Sequence, residues 1–196
     1  MTQLLRYLFS FCVLCAMVSC QNTEQQTTQN KELTNKNTDT LAGANDECEK
    51  LLLDAQKYDQ IFLNATSLDA NVALTGVVAF YNYANICHND TLGPIYLFKA
   101  GQVCASINDA DKARTMYEKC IADYPKFNNR GAALFLLAQL YDNQTVLHNE
   151  KTAKEIYQQI IKEYPNSSYA TDAKAAIQNL GKSDEELVKE FINKNK

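Results

Sequence analysis

The sequence contains few of the residues from which catalytic and metal sites are built. Its only histidines, His88 and His148, each lie in or beside a predicted turn, and no zinc-protease, CxxC, phosphate-loop or dinucleotide-binding motif occurs. Cys87 beside His88 does not indicate a metal site, because adjacent residues rarely converge on one ion. No pair of carboxylates lies on an apolar face in a way that predicts acid catalysis. We therefore expect no enzyme activity, cofactor, metal site or small-molecule substrate.

The chain also lacks the basic excess that is typical of nucleic-acid-binding proteins. Nineteen Lys and Arg residues stand against 23 Asp and Glu residues, which gives a formal net charge of -4. Cleavage of an N-terminal segment containing Arg6 leaves 18 basic residues and a net charge of -5. Recognition of nucleic acid usually requires a basic face, so the composition argues against this class of partner.

The N-terminal segment has the parts of a secretory signal peptide. Arg6 precedes a mostly apolar run over residues 7–18, which is shorter than the ~20 residues that a membrane span needs. The run leads into the sequence MVSC, which ends at Cys20 and resembles the lipobox of bacterial lipoproteins, although a methionine replaces the usual leucine. By this resemblance residues 1–19 are removed and Cys20 carries lipid. Plain secretion is the competing interpretation.

Residues 20–45 are rich in Gln, Asn and Thr and nearly free of large apolar residues. Such a segment cannot bury a core and predicts a flexible tether with a root-mean-square reach of about 25–30 Å. Gln21 follows Cys20, whereas the best known sorting rule for lipoproteins holds those with aspartate at this place in the inner membrane. The resemblance therefore implies a lipid anchor in the outer membrane facing the periplasm, with exposure at the cell surface left open.

Residues 46–196 contain an internal repeat with helical periodicity. In each copy the apolar residues fall at i, i+3 or i+4, and i+7, which predicts two amphipathic helices joined by a polar turn. Related patterns before and after predict eight helices in four hairpins and no strand. Near the end of the chain, Ser167 or Ser168 can cap a helix that Gly181 ends, and Ser183 with Glu186 forms a capping-box pattern for the last helix. The recurring residues are Leu97, Phe98 and Gln102 with Leu134, Phe135 and Gln139, and Ala113, Tyr117, Ile121, Tyr124 and Pro125 with Ala153, Tyr157, Ile161, Tyr164 and Pro165.

The spacing of two small residues, an aromatic residue and a closing proline resembles the tetratricopeptide repeat, a helical hairpin of about 34 residues. Gly101 and Ala138 occupy the first small position, while Cys104 and Cys120 depart from the family pattern. The resemblance implies an all-α solenoid of about four stacked hairpins in a right-handed superhelix. An ordinary helical bundle is the alternative. The segments DTLGPIYLFKAG and YPNSSYATDAK also resemble the tetratricopeptide lipoproteins of Gram-negative envelopes, such as the repeat lipoprotein of the β-barrel assembly machinery and the repeat domain of the Tol-Pal coordinator.

In this family the first helix of each hairpin lines the concave face, which implies a protein or peptide bound there. Core packing alone would explain a phenylalanine on such a helix, but a glutamine one turn along has little reason to be buried. An aromatic ring beside an amide suits an extended peptide or a partner helix. The residues placed on this face are Phe98, Gln102, Ala105 and Ser106 in one unit and Phe135, Gln139, Asp142 and Asn143 in the next.

Four cysteines remain after Cys20. Cys104 and Cys120 occupy interior positions of the repeat and predict free buried thiols. A bridge between Cys48 and Cys87 across the first hairpin does not follow from the spacing and stays open. Two Asp-Thr-Leu triplets resemble a bacterial O-glycosylation acceptor and leave modification of Thr40 and Thr91 open.

Together these features predict an outer-membrane-anchored periplasmic lipoprotein that acts as an interaction scaffold or assembly factor through tetratricopeptide repeats. The alternatives are an accessory subunit of an envelope enzyme or transport complex and a self-assembling structural lipoprotein. We expect contact with the membrane only through the lipid.

Overall fold

The computed structural model of the protein describes residues 46–87 and 91–194, which all lie in one compact unit. The predicted signal peptide, Cys20, the tether, Thr40 and His88 lie outside the described residues. Within them the secondary structure is entirely helical, which confirms the predicted all-α class. The helices are α1 (46–64), α2 (Ala70–Ile86), α3 (Gly93–Ser106), α4 (Ala110–Asp123), α5 (Arg130–Asp142), α6 (Glu150–Glu163), α7 (Ser168–Asn179) and α8 (Asp184–Lys194).

Polar side chains fix the starts of most of these helices, because the first backbone N–H groups of a helix have no partner within it. Asp69 accepts hydrogen bonds from the N–H groups of Asn71 and Val72 at 2.9 and 3.1 Å. Side chains in the same place begin three later helices, namely Asp109 at α4, Asn149 at α6 and the predicted Ser167 at α7.

The last helix begins with the predicted capping box. The Ser183 N–H donates to Glu186 Oε2 at 2.9 Å, and the Glu186 N–H donates to Ser183 Oγ at 3.3 Å. Gly181, which was predicted to end α7, has φ of +76°, a conformation that a residue with a Cβ rarely adopts. Local sequence signals therefore set both boundaries of the α7–α8 connection.

Consecutive helices from α2 to α7 pack against one another, and α5 also contacts α7, as in a stack of hairpins. The first hairpin joins this stack through α2, and α1 adds an ion pair between Asp59 and Lys99 on α3 at 2.5 Å. The predicted register of the repeat is correct, since the matching small residues are fully buried. These residues are Ala113 and Ala153, at 0% exposure, and Gly101 and Ala138, which are also buried.

Tyr117 and Tyr157 are the large residues that fill the two repeats, and each is 1% exposed. The Tyr117 ring lies so close to α3 that a Cβ on Gly101 would approach it at 2.4 Å, far inside van der Waals contact. In the second repeat Tyr157 lies in a core cluster with Ala138 and Ala153. Glycine at position 101 is therefore required by the close approach of α3 and α4.

A second tyrosine ties each repeat to the start of its own first helix. Tyr124, which ends α4, lies against Gly93 and donates a hydrogen bond to the carbonyl of Ala84 on α2 at 3.0 Å. Tyr164, which ends α6, lies against Gly131, and its hydroxyl accepts a hydrogen bond from Arg130 Nη1 at 3.2 Å. The Tyr-Pro pair that closes each repeat thus also fixes the position of the repeat's first helix.

Arg130 extends this second connection to the preceding repeat. Its Nε donates to the carbonyl of Ile121 on α4 at 3.2 Å, and its Nη1 pairs with Glu163 on α6. Burial opposes ionisation of Glu163, but hydrogen bonds from Gln159 and Arg130 outweigh it and hold the pKa of that carboxyl below its usual value. One guanidinium therefore joins the ends of α4 and α6 at the start of α5.

The hairpin α7–α8 is less tightly packed than those before it. Val188 and Ile192 on α8 are 56% and 49% exposed, and the buried core clusters do not extend beyond α7. An ion pair between Lys182 and Glu190 at 2.7 Å links α8 to the preceding turn.

The cysteines fall into a bridged pair and a free pair. Cys48 on α1 and Cys87 after α2 form a disulfide across the first hairpin, which settles the pairing that the sequence left open. In a chain-entropy account, closing their 39-residue separation stabilises the fold by about 4 kcal/mol. Cys104 and Cys120 are free and buried, as predicted. The Cys120 thiol donates to the Pro94 carbonyl at 3.4 Å.

A matched pair of glycine substitutions tests the close approach at Gly101. Gly101→Ala should lower the free energy of unfolding by about 1–3 kcal/mol, because the new methyl group overpacks against Tyr117. Gly131→Ala is the control, since its Cβ would lie 3.6 Å from Tyr169 and 3.7 Å from Tyr164 in ordinary contact. The control should be neutral or stabilising by up to about 1 kcal/mol. Urea unfolding measures both, and equal effects would contradict the packing described.

Differential labelling tests the state of the cysteines. Burial raises the pKa of Cys104 to about 11 and of Cys120 to about 12, so both thiols stay protonated and shielded at pH 8. We expect an alkylating reagent to modify these two only after the chain is unfolded, and Cys48 and Cys87 only after reduction as well. Peptide mass mapping reads each cysteine separately. Rapid labelling of Cys120 in the folded protein would contradict its burial.

Candidate protein-binding surface

The candidate surface lies on α3 and α5, the first helices of the two central hairpins. Phe98 and Gln102 are one turn apart on α3, and Phe135 and Gln139 are one turn apart on α5. Residues four apart on a helix lie on the same side, so each ring is adjacent to an amide. The structure therefore brings together the two elements of the predicted motif within each repeat.

The two phenylalanine rings are half-buried and belong to the packing between hairpins. Phe98 contacts Tyr117 of its own repeat, with ring centroids 6.0 Å apart, and Phe127 after α4 at 6.1 Å. Phe135 contacts Tyr157 at 5.7 Å and Tyr169 on α7 at 5.9 Å. Each ring thus bridges its own hairpin and the segment that follows. Core packing accounts for both rings, as the sequence already allowed.

Gln102 and Gln139 are exposed, in contrast to the rings beside them. Within the part of the chain that the structure describes, neither side-chain amide takes part in a hydrogen bond. An unpaired surface amide offers two donors and one acceptor with two lone pairs, which matches the N–H and C=O groups of an extended backbone. Of the predicted residues, these two are the best placed to contact a ligand.

Asp142 and Asn143 have roles within the fold. Asp142 Oδ2 accepts a hydrogen bond from the Tyr157 hydroxyl at 3.2 Å, and partial burial raises the carboxyl's pKa more than this bond lowers it. Asn143 Oδ1 accepts hydrogen bonds from the N–H and hydroxyl of Thr145 at 2.9 and 2.8 Å. The Asn143 bonds form the turn after α5, and the Asp142 bond links the end of α5 to α6. The presence of both residues is therefore explained by the fold, without a ligand.

Ala105 and Ser106, which correspond to Asp142 and Asn143 in the first repeat, also make contacts within the fold. Ala105 is half-buried, and Ser106 Oγ donates to the Val103 carbonyl at 2.7 Å. The face predicted from the sequence therefore consists of two exposed amides on a framework of side chains that pack the hairpins.

A cleft of about 470 Å³ lies between the start of α3 and the turn after α4, and one of its lining residues, Phe127, contacts Phe98. The sequence analysis did not identify it, because the turn and the helix start are more than 25 residues apart in the chain. The only local signals were the prolines at 94 and 125. The cleft is lined by Thr91, Pro94, Asp123, Tyr124, Pro125, Lys126, Phe127 and Asn128.

Other functional groups are sparse over residues 46–87 and 91–194. In that part of the chain no three His, Cys, Asp or Glu side chains come together as metal ligands, and no buried polar side-chain atom lacks a hydrogen-bond partner. No helix there is both long and apolar enough to cross a bilayer. Cys87 is held in the disulfide and offers no thiolate.

Comparison with known proteins agrees with the hairpin geometry. Residues 96–126 and 132–167 match the tetratricopeptide repeat family. The first match covers most of α3 and all of α4, and the second covers most of α5 and all of α6, so each match corresponds to one hairpin. No curated protein matches the chain. The two central hairpins therefore resemble tetratricopeptide repeats both in sequence and in helix arrangement.

Proposed function

We propose that this protein is a lipid-anchored scaffold of the bacterial envelope that binds a protein or peptide on the α3–α5 face. Tetratricopeptide repeats generally bind proteins, which supports the scaffold class. The observation that carries the proposal is the recurrence of an exposed glutamine one turn after a half-buried phenylalanine in both repeats.

The chemistry of this face fits an extended peptide. Gln102 and Gln139 occupy equivalent places on neighbouring repeats, so both amides present the same groups to a ligand that crosses the two helices. The half-buried edges of Phe98 and Phe135 supply apolar contact beside each amide. Amides that fix register beside aromatic anchors are a common arrangement for peptide recognition.

The sequence before the described residues supports the anchor. Cys20 ends a lipobox-like sequence, and residues 20–45 supply a tether between the lipid and α1. Gln21 favours sorting to the outer membrane, with the repeats in the periplasm. A tethered protein-binding surface supports an assembly role, in which the protein brings an envelope partner to the membrane. The alternative, an accessory subunit of an envelope complex, uses the same surface.

Replacement of both glutamines tests the binding face. Gln102→Ala with Gln139→Ala should leave the melting temperature unchanged, because both side chains are exposed and unpaired. A partner captured by crosslinking from envelopes with the wild-type protein should bind the double variant about 1–3 kcal/mol more weakly, since two hydrogen bonds are lost. Isothermal titration with the purified partner measures the difference.

The matched control removes two other exposed glutamines, Gln158 on α6 and Gln178 on α7, and should bind normally. Phe135→Ala should weaken both stability and binding, because its ring packs against Tyr157 and Tyr169. Unchanged affinity of a folded Gln102→Ala, Gln139→Ala protein would move the binding site away from this face.

Replacement of the predicted lipid attachment residue tests the anchor independently. Cys20→Ala should move the protein from the membrane to the soluble fraction, because several acyl chains at about 0.8 kcal/mol per buried methylene hold far more firmly than none. Cys15→Ala, which changes the predicted signal peptide only, is the control and should remain in the outer membrane. Membrane fractionation with immunodetection gives the answer, and retention of the Cys20 variant would refute lipidation there.

A further inference from the structure

The cleft between the start of α3 and the turn after α4 reflects a difference between the two repeats. In the second repeat Arg130, the first residue of α5, pairs with Glu163, the last residue of α6. The residues that correspond to them, 37 and 40 positions earlier, are Gly93, which has no side chain, and Asp123, which lines the cleft. The first repeat therefore lacks the guanidinium that lies beside this carboxylate position in the second, which leaves room for a cleft of about 470 Å³.

The groups that line the cleft suit a neutral ligand that has both apolar and hydrogen-bonding surfaces. Tyr124 and Phe127 contribute half-buried aromatic rings. Lys126 and Asp123 carry opposite charges, and Asp123 already pairs with Lys119 at 2.7 Å. An ionic ligand would thus meet a like charge in the cleft, whereas a hydroxyl group can donate to the carboxylate and accept from the ammonium group.

A sugar has this combination of surfaces, with hydroxyl groups at the edge of its ring and C–H groups on its faces. The C–H groups pack against aromatic rings such as those of Tyr124 and Phe127, and the hydroxyl groups bond to the polar side chains around them. Asn128 adds an amide to the lining. A volume of about 470 Å³ lies within the ~300–1,000 Å³ range of small-molecule sites, so the cleft is large enough for a sugar.

Thr91 places a hydroxyl group on the wall of this cleft. It is exposed and lies in the segment that leads into α3. Residues 90–92 read Asp-Thr-Leu, one of the two triplets that resemble a bacterial O-glycosylation acceptor. The other triplet, around Thr40, lies outside the described residues. Two independent features therefore meet at Thr91, namely an acceptor-like sequence and a cleft whose lining suits a sugar.

From the position of Thr91 on the cleft wall, we propose that this residue carries an O-linked glycan whose first sugar packs in the cleft against Tyr124 and Phe127. The glycan is covalently held, so it occupies the cleft without needing high affinity. The cleft then contributes to the stability of the turn after α4, because the sugar covers the ring of Phe127. The modification requires neither the lipid nor a bound partner, so it is tested separately from the proposed function.

The transfer step uses an activated sugar and a separate glycosyltransferase. Thr91 Oγ forms a bond to the anomeric carbon of a sugar held as a glycosyl phosphate or diphosphate, and the bond between that carbon and the phosphate oxygen breaks. The phosphate leaves with its carrier and keeps the electron pair of the broken bond. A base of the transferase accepts the proton of the Thr91 hydroxyl group. The chain is thus the acceptor substrate and supplies only the hydroxyl group.

Peptide mass mapping of the full-length protein, purified from the bacterium that encodes it, tests the modification. The peptide that contains Thr91 should be heavier than its sequence by the mass of one or more sugars, and fragmentation should place the added mass on Thr91. Thr91→Ala should lose this mass, whereas Thr91→Ser should keep it because serine offers the same hydroxyl group.

Thr145 is the matched control, because it is an exposed threonine in a turn but follows Gln144 and belongs to no Asp-Thr-Leu triplet. It should carry no sugar. An unmodified Thr91 in the wild-type protein, or an added mass that persists in Thr91→Ala, would overturn the proposal.

Thermal unfolding tests whether the sugar lies in the cleft. The wild-type protein from its own bacterium should melt about 2–4 °C above the same chain from a host in which Thr91 stays unmodified. Phe127→Leu should abolish most of this difference, because the aromatic face is lost while an apolar side chain remains. Phe135→Leu, which changes a half-buried ring that does not line the cleft, should keep it. Equal melting temperatures of the two wild-type forms would contradict the packing of the sugar in the cleft.

Discussion

The close approach of two helices at a small residue beneath a tyrosine ring is the contact on which the solenoid depends. At Gly101 the ring of Tyr117 occupies the space that a side chain would need, so α3 and α4 pack more closely than any residue with a Cβ at position 101 would allow. In the next hairpin alanines take the place of glycine around Tyr157. Helical hairpins bury their apolar sides only against neighbours, so the spacing set inside one hairpin determines how the next one fits.

Tyr124 and Tyr164, the tyrosines that close the two repeats, connect neighbouring hairpins to one another. Tyr124 bonds to the Ala84 carbonyl of the preceding hairpin, and Tyr164 joins the Arg130 group that spans α4 and α6. The same framework holds Phe98 and Phe135 half-buried, which leaves the glutamines one turn later facing solvent. The exposed amides of the candidate surface are thus placed by residues whose first role is packing.

The sequence predicted most of the fold, because its signals are local or periodic. Asp69, Ser167, Gly181 and the Ser183–Glu186 pair mark helix ends through contacts within four residues, and the 37- and 40-residue spacings reveal the hairpins. Contacts between distant segments were less visible. The disulfide, the Asp59–Lys99 pair and the cleft beside Tyr124 each join residues at least about 30 apart, and nothing near either partner specifies the other. At the candidate surface, periodicity predicted that Gln102 and Gln139 lie outside the core, and both are exposed, but it could not show that Asp142 and Asn143 bond to Tyr157 and Thr145.

The Cys48–Cys87 bridge gives the two ends of the solenoid different mechanical properties. A linear array of repeats frays from its ends, since an end unit has only one neighbour. The covalent link closes the N-terminal end, while α8 at the other end keeps Val188 and Ile192 in solvent and adds little to the core. Thermal opening therefore runs in one direction, from α8 inward. Tension applied along the backbone on either side of the first hairpin passes directly from Cys48 to Cys87 through the disulfide, so the helical segment between these two residues carries none of it.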